Sequence, residues 1–391
     1  MSHVEAIKRP AALAAPKPEA AAFGYRIEVD TEYWRVQSRW ERLAKVGAAL
    51  PMQRQCWLSA FYASVGRIPG VDPLLVTVVD SLSGRDLMGL PLIRQKQGRL
   101  RAVTFADRGL TDYNAPIVGP FVPRDLKNIR QIWRAVRRAL PATDLVLFDR
   151  MPSHIGGQDN PLAFVDGVFE SGSTALQLQM PDNYDDWRGG LDRRFRRELD
   201  RAWRTFNEHE GATFRLIENS DEAQDFFFGF KRHSKTSVVD FDHAYVMDQP
   251  AVRRFYDRVF ADGLTDGTVR FAVLQAGDEP VAGLVMLIDR EGCTFHHLAT
   301  AGGRWKICSP GRLILDRAMM ALHAEGFRLF DFTFGDYPYK RQFGARPVRL
   351  LDAHIAVSWR ALPSVITERA RHALGRRETR RKTEQDLPAY R

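Results

Sequence analysis

Residues 304–343 read RWKICSPGRLILDRAMMALHAEGFRLFDFTFGDYPYKRQF, an order of loop, helix, strand and polar-aromatic tail. Ser309 is placed to cap a helix that begins at Pro310, because a serine hydroxyl accepts an otherwise unpaired first-turn amide. Proline suits the first helical position, where its fixed φ fits and its missing donor does no harm. Gly311 follows, so no side chain blocks another molecule from the first amides. Leu313, Ile314, Met319, Met320 and Leu322 recur at helical spacing, and Gly326 ends the run. Phe327–Phe334 then alternates as a strand, with Asp331 inside an aromatic run. An open helix start beside a small residue suits a phosphate or pyrophosphate.

Upstream, the spacing predicts a charged helix over Asp192–Glu210, a strand at Phe214–Ile217, and helices over 221–235 and 249–261. A hairpin (269–274 and 281–288) and a strand at 293–300 lead into the Ser-Pro-Gly helix. The first half runs in the same order. A strand at Tyr25–Val29 is followed by helices over Glu32–Ala49, with Trp34, Trp40 and Leu43 as apolar positions, and Trp57–Val65. A hairpin around Ser83-Gly84, a strand at 103–105 and the loop RGLTDYNAPIVGPFVP come next, then a basic helix over Leu126–Leu140. DLVLFD at 144–149 matches FRLFDF at 327–332 in place and pattern, which reads as a duplication. Arg349–Ser358 is expected to add a last strand.

The order strand, loop, Ser-Pro-Gly, helix, Gly, strand with an Asp, Gly, then Tyr-Lys resembles the GNAT-superfamily acyltransferases. It resembles in particular the BioF-like, CelD-type acetyltransferases of cellulose biosynthesis and their relatives, the Fem-type aminoacyltransferases. The resemblance is clearest over about 192–357. It implies an α+β, three-layer fold in which mixed sheets are flanked by helices in two tandem GNAT-like lobes. The lobes would span 23–185 and 186–360, between a disordered leader (1–22) and a basic helical tail (361–391). It also implies an acyl-CoA-dependent N- or O-acyltransferase. Acetyl-CoA would be the donor, and an amine or hydroxyl on a small-molecule or glycan acceptor would attack directly, in exopolysaccharide or cell-envelope metabolism.

Carried over by position, the thioester would lie between splayed strands at 293–300 and 327–333. Lys306, Ser309, Pro310, Gly311 and Arg312 would cradle the pyrophosphate. The usual signature there has an Arg or Gln and two glycines, whereas this chain has Arg304, Lys306 and one glycine. Acyl transfer needs a deprotonated nucleophile and a reprotonated thiolate. Asp331 and Asp336 flank the splay and are candidates to orient or deprotonate an acceptor. Tyr339, with Tyr337, is a candidate proton donor to sulfur, and His297 is a further candidate. His296 and His297 are consecutive in a strand, so their side chains are expected on opposite faces. Lys340 is placed to neutralise a phosphate or an acidic acceptor. Tyr113, in the polar-aromatic loop Asp112-Tyr113-Asn114, either lines an acceptor cleft between lobes or forms a turn. Arg194 and Arg197 form part of an Arg-rich helix that is either a solvated face, with Arg194–Glu198 as an i,i+4 pair, or a rim collecting polyanions.

The chain has 391 residues, 45% apolar and 27% charged, with a net charge of +9. That composition fits a soluble globular protein with room for two domains. The charge suits an anionic ligand, a nucleic acid or an acidic membrane surface without choosing among them. Cys56, Cys293 and Cys308 fit no zinc or disulfide spacing and read as reduced cytoplasmic thiols. The histidines lack paired spacing, so no metal is expected. No segment is apolar enough to span a membrane, although the basic C-terminus suits peripheral membrane contact. Neither a Walker loop nor a GxGxxG is present, which argues against nucleotide hydrolysis and hydride transfer. Two other readings stand beside the first. One is a Fem-type enzyme taking its acyl group from aminoacyl-tRNA. The other is a catalytically silent nucleic-acid- or lipid-binding protein on the same fold.

Overall fold

The computed structural model describes residues 24–233, 249–290 and 292–367; the leader and most of the basic tail expected from sequence lie outside them. The first half runs β1 (Tyr25–Asp30), α1 (Tyr33–Val46), α2 (Gln55–Ala63), β2 (Val71–Asp80), β3 (Asp86–Gln97), β4 (Leu100–Phe105) and β5 (Ile117–Val118). It continues through α3 (Leu126–Ala139), β6 (Leu145–Pro152), a small hairpin of β7 (His154–Ile155) and β8 (Gln158–Asp159), β9 (Val168–Glu170) and β10 (Ala175–Gln179). The second half has α4 (Tyr184–Gly190), α5 (Arg193–Asn207), β11 (Ala212–Ile217), α6 (Ser220–His233), α7 (Pro250–Asp266), β12 (Val269–Ala276), β13 (Glu279–Ile288) and β14 (Gly292–Thr300). It ends with α8 (Pro310–Ala324), β15 (Leu329–Phe334), α9 (Pro338–Gln342), β16 (Arg346–Val348) and β17 (Leu350–Ala356).

Two sheets share one design. The first has the strand order β1-β2-β3-β4-β6-β17-β9, and the second β11-β12-β13-β14-β15-β10-β16. In each, four antiparallel strands meet one parallel strand that returns after a helix, β4 with β6 and β14 with β15. The duplication suggested by DLVLFD and FRLFDF is therefore a duplication of topology.

The next strand in each sheet comes from the other half of the chain. β17 pairs with β6, and β10 pairs with β15. This exchange is invisible in sequence, because ALQLQ and LLDAHIA suit any sheet edge.

The lobes are also joined through their cores. Trp57 and Phe61 of α2 are buried with Phe255, Tyr256 and Phe260 of α7 against Val273 and Val285 of the second sheet. The opposite face of that sheet carries α5 and α8, with Phe195, Leu199, Leu313 and Leu322 buried. Along α1, Trp40 and Leu43 are buried as expected, but Trp34 is exposed and carries Arg35 over its ring.

The strand exchange has a measurable consequence. Residues 186–360 expressed alone keep β15 but lose β10, leaving an open edge in the middle of what should be a continuous sheet. The expected result is aggregation or a non-cooperative thermal transition by circular dichroism, whereas the full chain unfolds with its lobes coupled.

Candidate functional site

The parallel pairing of β14 and β15 covers only Gly292–Thr294 against Leu329–Asp331. Beyond that point β14 continues along β13 to Thr300, while β15 turns to β10. The gap opens at Asp331. Phe330 and Phe332 face the core beneath α5 and α8, so alternation sends Asp331 to the other side, toward the first half.

Asp331 is buried, and its carboxylate accepts three hydrogen bonds. Its Oδ1 accepts the Tyr113 hydroxyl at 2.8 Å and the Thr333 amide at 2.7 Å. Its Oδ2 accepts Nε2 of Gln177 at 2.8 Å. Burial pushes this carboxyl up to about 6, against the pull of those three donors. Thr333 sits at φ +59, a conformation that a β-branched residue adopts only where its surroundings impose it. Lys340, also buried, donates to the carbonyls of Thr333 (3.3 Å) and Phe334 (2.8 Å), and burial lowers its ammonium to about 8. An acid and a base both moved toward neutrality in one place is the pattern of a site that handles protons.

A second polar chain lies beside the first. Asp112 Oδ2 meets His296 Nδ1 at 2.7 Å, and His296 Nε2 meets the Tyr256 hydroxyl at 3.1 Å. Of the two histidines, His296 makes this network. The expectation that the pair faces opposite sides fails because β14 bulges there: Phe295 pairs with Met286 and His297 with Val285, leaving His296 as the extra residue. Both rings consequently meet the same aromatic cluster, His296 at Trp57 and His297 at Phe227.

Asp112 and Tyr113 come from the first half. Arg150 holds their loop: its guanidinium donates to Asp107 Oδ2 (2.6 Å) and to the carbonyls of Thr111 and Asp112, and its ring partner is Phe334. Asn114 adds bonds to Asp107 and to the Asp149 carbonyl. The same loop fills the first half's own gap, where β4 and β6 part after Thr104 and Leu147. Arg150→Met is expected to free this loop, lowering turnover at least tenfold while donor binding changes little; steady-state kinetics beside calorimetry checks it.

The start of α8 differs from the cap expected. Ser309 lies in the left-handed region (φ +45, ψ +58) and its side chain makes no cap. A 3₁₀ turn over Gly303–Cys308 winds into it, and its hydroxyl accepts Arg312 Nη2 at 3.2 Å instead. The first amides of α8 therefore lack a side-chain cap, and Pro310 has no donor at all. A Cβ on Gly311 would stand 3.4 Å from Thr300 and 3.5 Å from Leu298, which seats this helix start against the far end of β14. In the first half, by contrast, Asp125 caps α3 and accepts the Asn128 amide at 2.9 Å, putting a carboxylate where an anion would go.

Lys306 is exposed beside the α8 start. Arg312 reaches Glu198 (3.2 Å), which also pairs with Arg194 (3.1 Å). Arg194 and Arg197 line a shallow hollow of ≈ 560 Å³ with Arg193 and Arg201 and the carboxylates Asp192 and Glu198.

Asp336 is the poorer base of the two aspartates: Arg341 takes both its oxygens at 2.7 Å and holds its carboxyl low. Tyr339 stacks on Tyr337, and burial pushes its phenol up to about 12. Gln177 and Tyr256 carried no local signal in the sequence, since each acquires its role from a strand or helix distant in the chain. Among the described residues no group of three metal-ligating side chains occurs, and no helix is long and apolar enough to cross a membrane.

Residues 193–341 match the family model for the acetyltransferase (GNAT) domain. In structure the chain is similar to FemX, with a TM-score of 0.54 at 10% identity over 83% of this chain and 96% of that one. It is also similar to a tandem GNAT protein from the clavulanic acid biosynthesis pathway (TM-score 0.44, 13% identity, 85% and 99% covered). L-PGS from Bacillus licheniformis follows (TM-score 0.44, 14% identity, 82% and 97% covered). No curated protein matches the chain in sequence. The chain is an acyltransferase with a GNAT-fold domain.

Proposed function

We propose that this chain transfers an acyl group, most simply acetyl, from a coenzyme A thioester held in the second half to an amine or hydroxyl acceptor. The carrying observation is the contrast between the two helix starts: α8 opens uncapped beside a strand gap, whereas α3 opens on the Asp125 carboxylate beside a filled one. The residues present suit the donor. The amides of Gly311 and Arg312, with Lys306, would meet the pyrophosphate, and the thioester would run along β14 toward Asp331.

The acceptor nitrogen or oxygen attacks the thioester carbonyl carbon, forming the new C–N or C–O bond through a tetrahedral intermediate. Collapse breaks the C–S bond. Asp331 takes the acceptor's proton, a role its raised affinity for protons suits near neutral pH. Tyr339 stays protonated in that range and is assigned as donor to the leaving thiolate. Tyr113 and Gln177 hold Asp331 in place, so the first half acts as a structural partner to the reaction. An acceptor of cell-envelope or exopolysaccharide chemistry fits this reading.

The exposed Arg row of α5 favours a second reading, in which the acyl donor is aminoacyl-tRNA. Parallel incubations with labelled acetyl-CoA and labelled aminoacyl-tRNA, each against a panel of amines and glycans, test the choice. Product labelled only from acetyl-CoA supports the first reading; product labelled only from charged tRNA replaces it with the second.

A further inference from the structure

On the face of the first sheet away from α3, side chains of β6 and β17 line an open cavity of ≈ 420 Å³. Two carboxylates line it, Asp149 and Asp352. Among the described residues neither pairs with a lysine or arginine. Asp149 meets His354 Nε2 at 2.9 Å, and Asp352 accepts the Arg150 amide at 2.8 Å. Arg150 also lines the cavity, and its guanidinium is committed to Asp107 and to two carbonyls. Burial raises the Asp352 carboxyl above its ordinary value, with the Asp149 charge adding to the rise and the Arg150 amide, the Ser171 hydroxyl and His354 opposing it. In a chain of net charge +9 this is a locally acidic cavity, so it opposes phosphates and other anions and favours a cation.

The remaining lining narrows the class. Ser173 and Ser364 also line the cavity, while the Ser171 hydroxyl is taken up by Asp352 and the Ser173 amide, so neutral hydroxyls stand beside the two carboxylates. Leu145 and Leu147 give the cavity an apolar wall, suited to the carbon face of a compact ring. The volume lies in the range of small-molecule sites. We infer that this cavity binds a small primary amine carrying several hydroxyls, its ammonium between Asp149 and Asp352. The site stands on its own groups and does not depend on the identity of the acyl donor.

Calorimetry on the full chain tests it with four probes: glucosamine, glucose, N-acetylglucosamine and butylamine. Glucosamine carries both charge and hydroxyls, and each of the others lacks one of them. Glucosamine is expected to bind at least tenfold more tightly than any of the three. Asp352→Asn and Asp149→Asn each remove a charge while keeping an oxygen for Arg150 or His354, and each is expected to weaken glucosamine at least tenfold at unchanged melting temperature. Equal binding of all four probes, no glucosamine binding at 50 mM (roughly the weakest affinity worth calling a site), or undiminished binding in both variants overturns the assignment.

Discussion

Asp331→Asn should lower turnover by about 10²- to 10⁴-fold, the usual contribution of a positioned general base, while binding of acetyl-CoA is retained. The asparagine keeps an oxygen for Tyr113 and Thr333 but cannot accept a proton. In the wild type the rate should fall as pH drops through about 6, where the buried carboxyl protonates. Tyr339, pushed up to about 12, keeps its proton well above that range, so kcat/KM is expected to rise through about 6 and to hold on the alkaline side.

Stability moves the other way. Because burial raises Asp331 from 3.8 to about 6, its folded form holds the proton more tightly than the unfolded chain does. The contribution, roughly 3 kcal/mol by the usual linkage, is fully present below pH 4 and is lost as pH rises through 6. Asp331→Asn should flatten that part of the stability profile. An unchanged pH–rate profile in the variant, or wild-type turnover, would remove Asp331 from the chemistry.

Gly311→Glu should abolish donor binding. The position has room for a Cβ in ordinary contact with Thr300 and Leu298, so the fold is expected to survive. The carboxylate then stands at the helix start, where the partial positive charge of the dipole would otherwise serve a pyrophosphate. A self-supplied anion both fills the site and repels the ligand, and a loss of at least 10²-fold in affinity is expected. Lys127→Glu makes the matching change at the second position of α3, which Asp125 already caps, and should leave donor binding unaltered.

Much of the second half was legible because its signals are local. Pro310, Gly311 and Gly326 mark α8, and the aromatic alternation marks β15 with Asp331 inside it. The duplication was legible from the repeated order of elements. What escaped depended on partners far along the chain. Tyr113 read as part of a polar loop that either lines a cleft between lobes or forms a turn, and its hydroxyl bond to Asp331, which spans 218 residues, had no local signal. The exchange of β10 and β17 left no mark, since edge compatibility says nothing about which sheet takes a strand. Ser309 misled because a hydroxyl before Pro-Gly looks like a cap, whereas the preceding 3₁₀ turn drives its backbone left-handed. The two histidines misled because strict alternation presumes an unbroken ladder, and β14 bulges at His296.

The central claim is that one half of a duplicated fold holds the acyl donor while the other completes the site. Calorimetric titration with acetyl-CoA tests it most directly, on the wild type and on Gly311→Glu. One equivalent bound per wild-type chain and none by the variant is the expected result. Two equivalents, or one equivalent that survives Gly311→Glu, would contradict the assignment to α8, and no binding at millimolar ligand would contradict the donor itself.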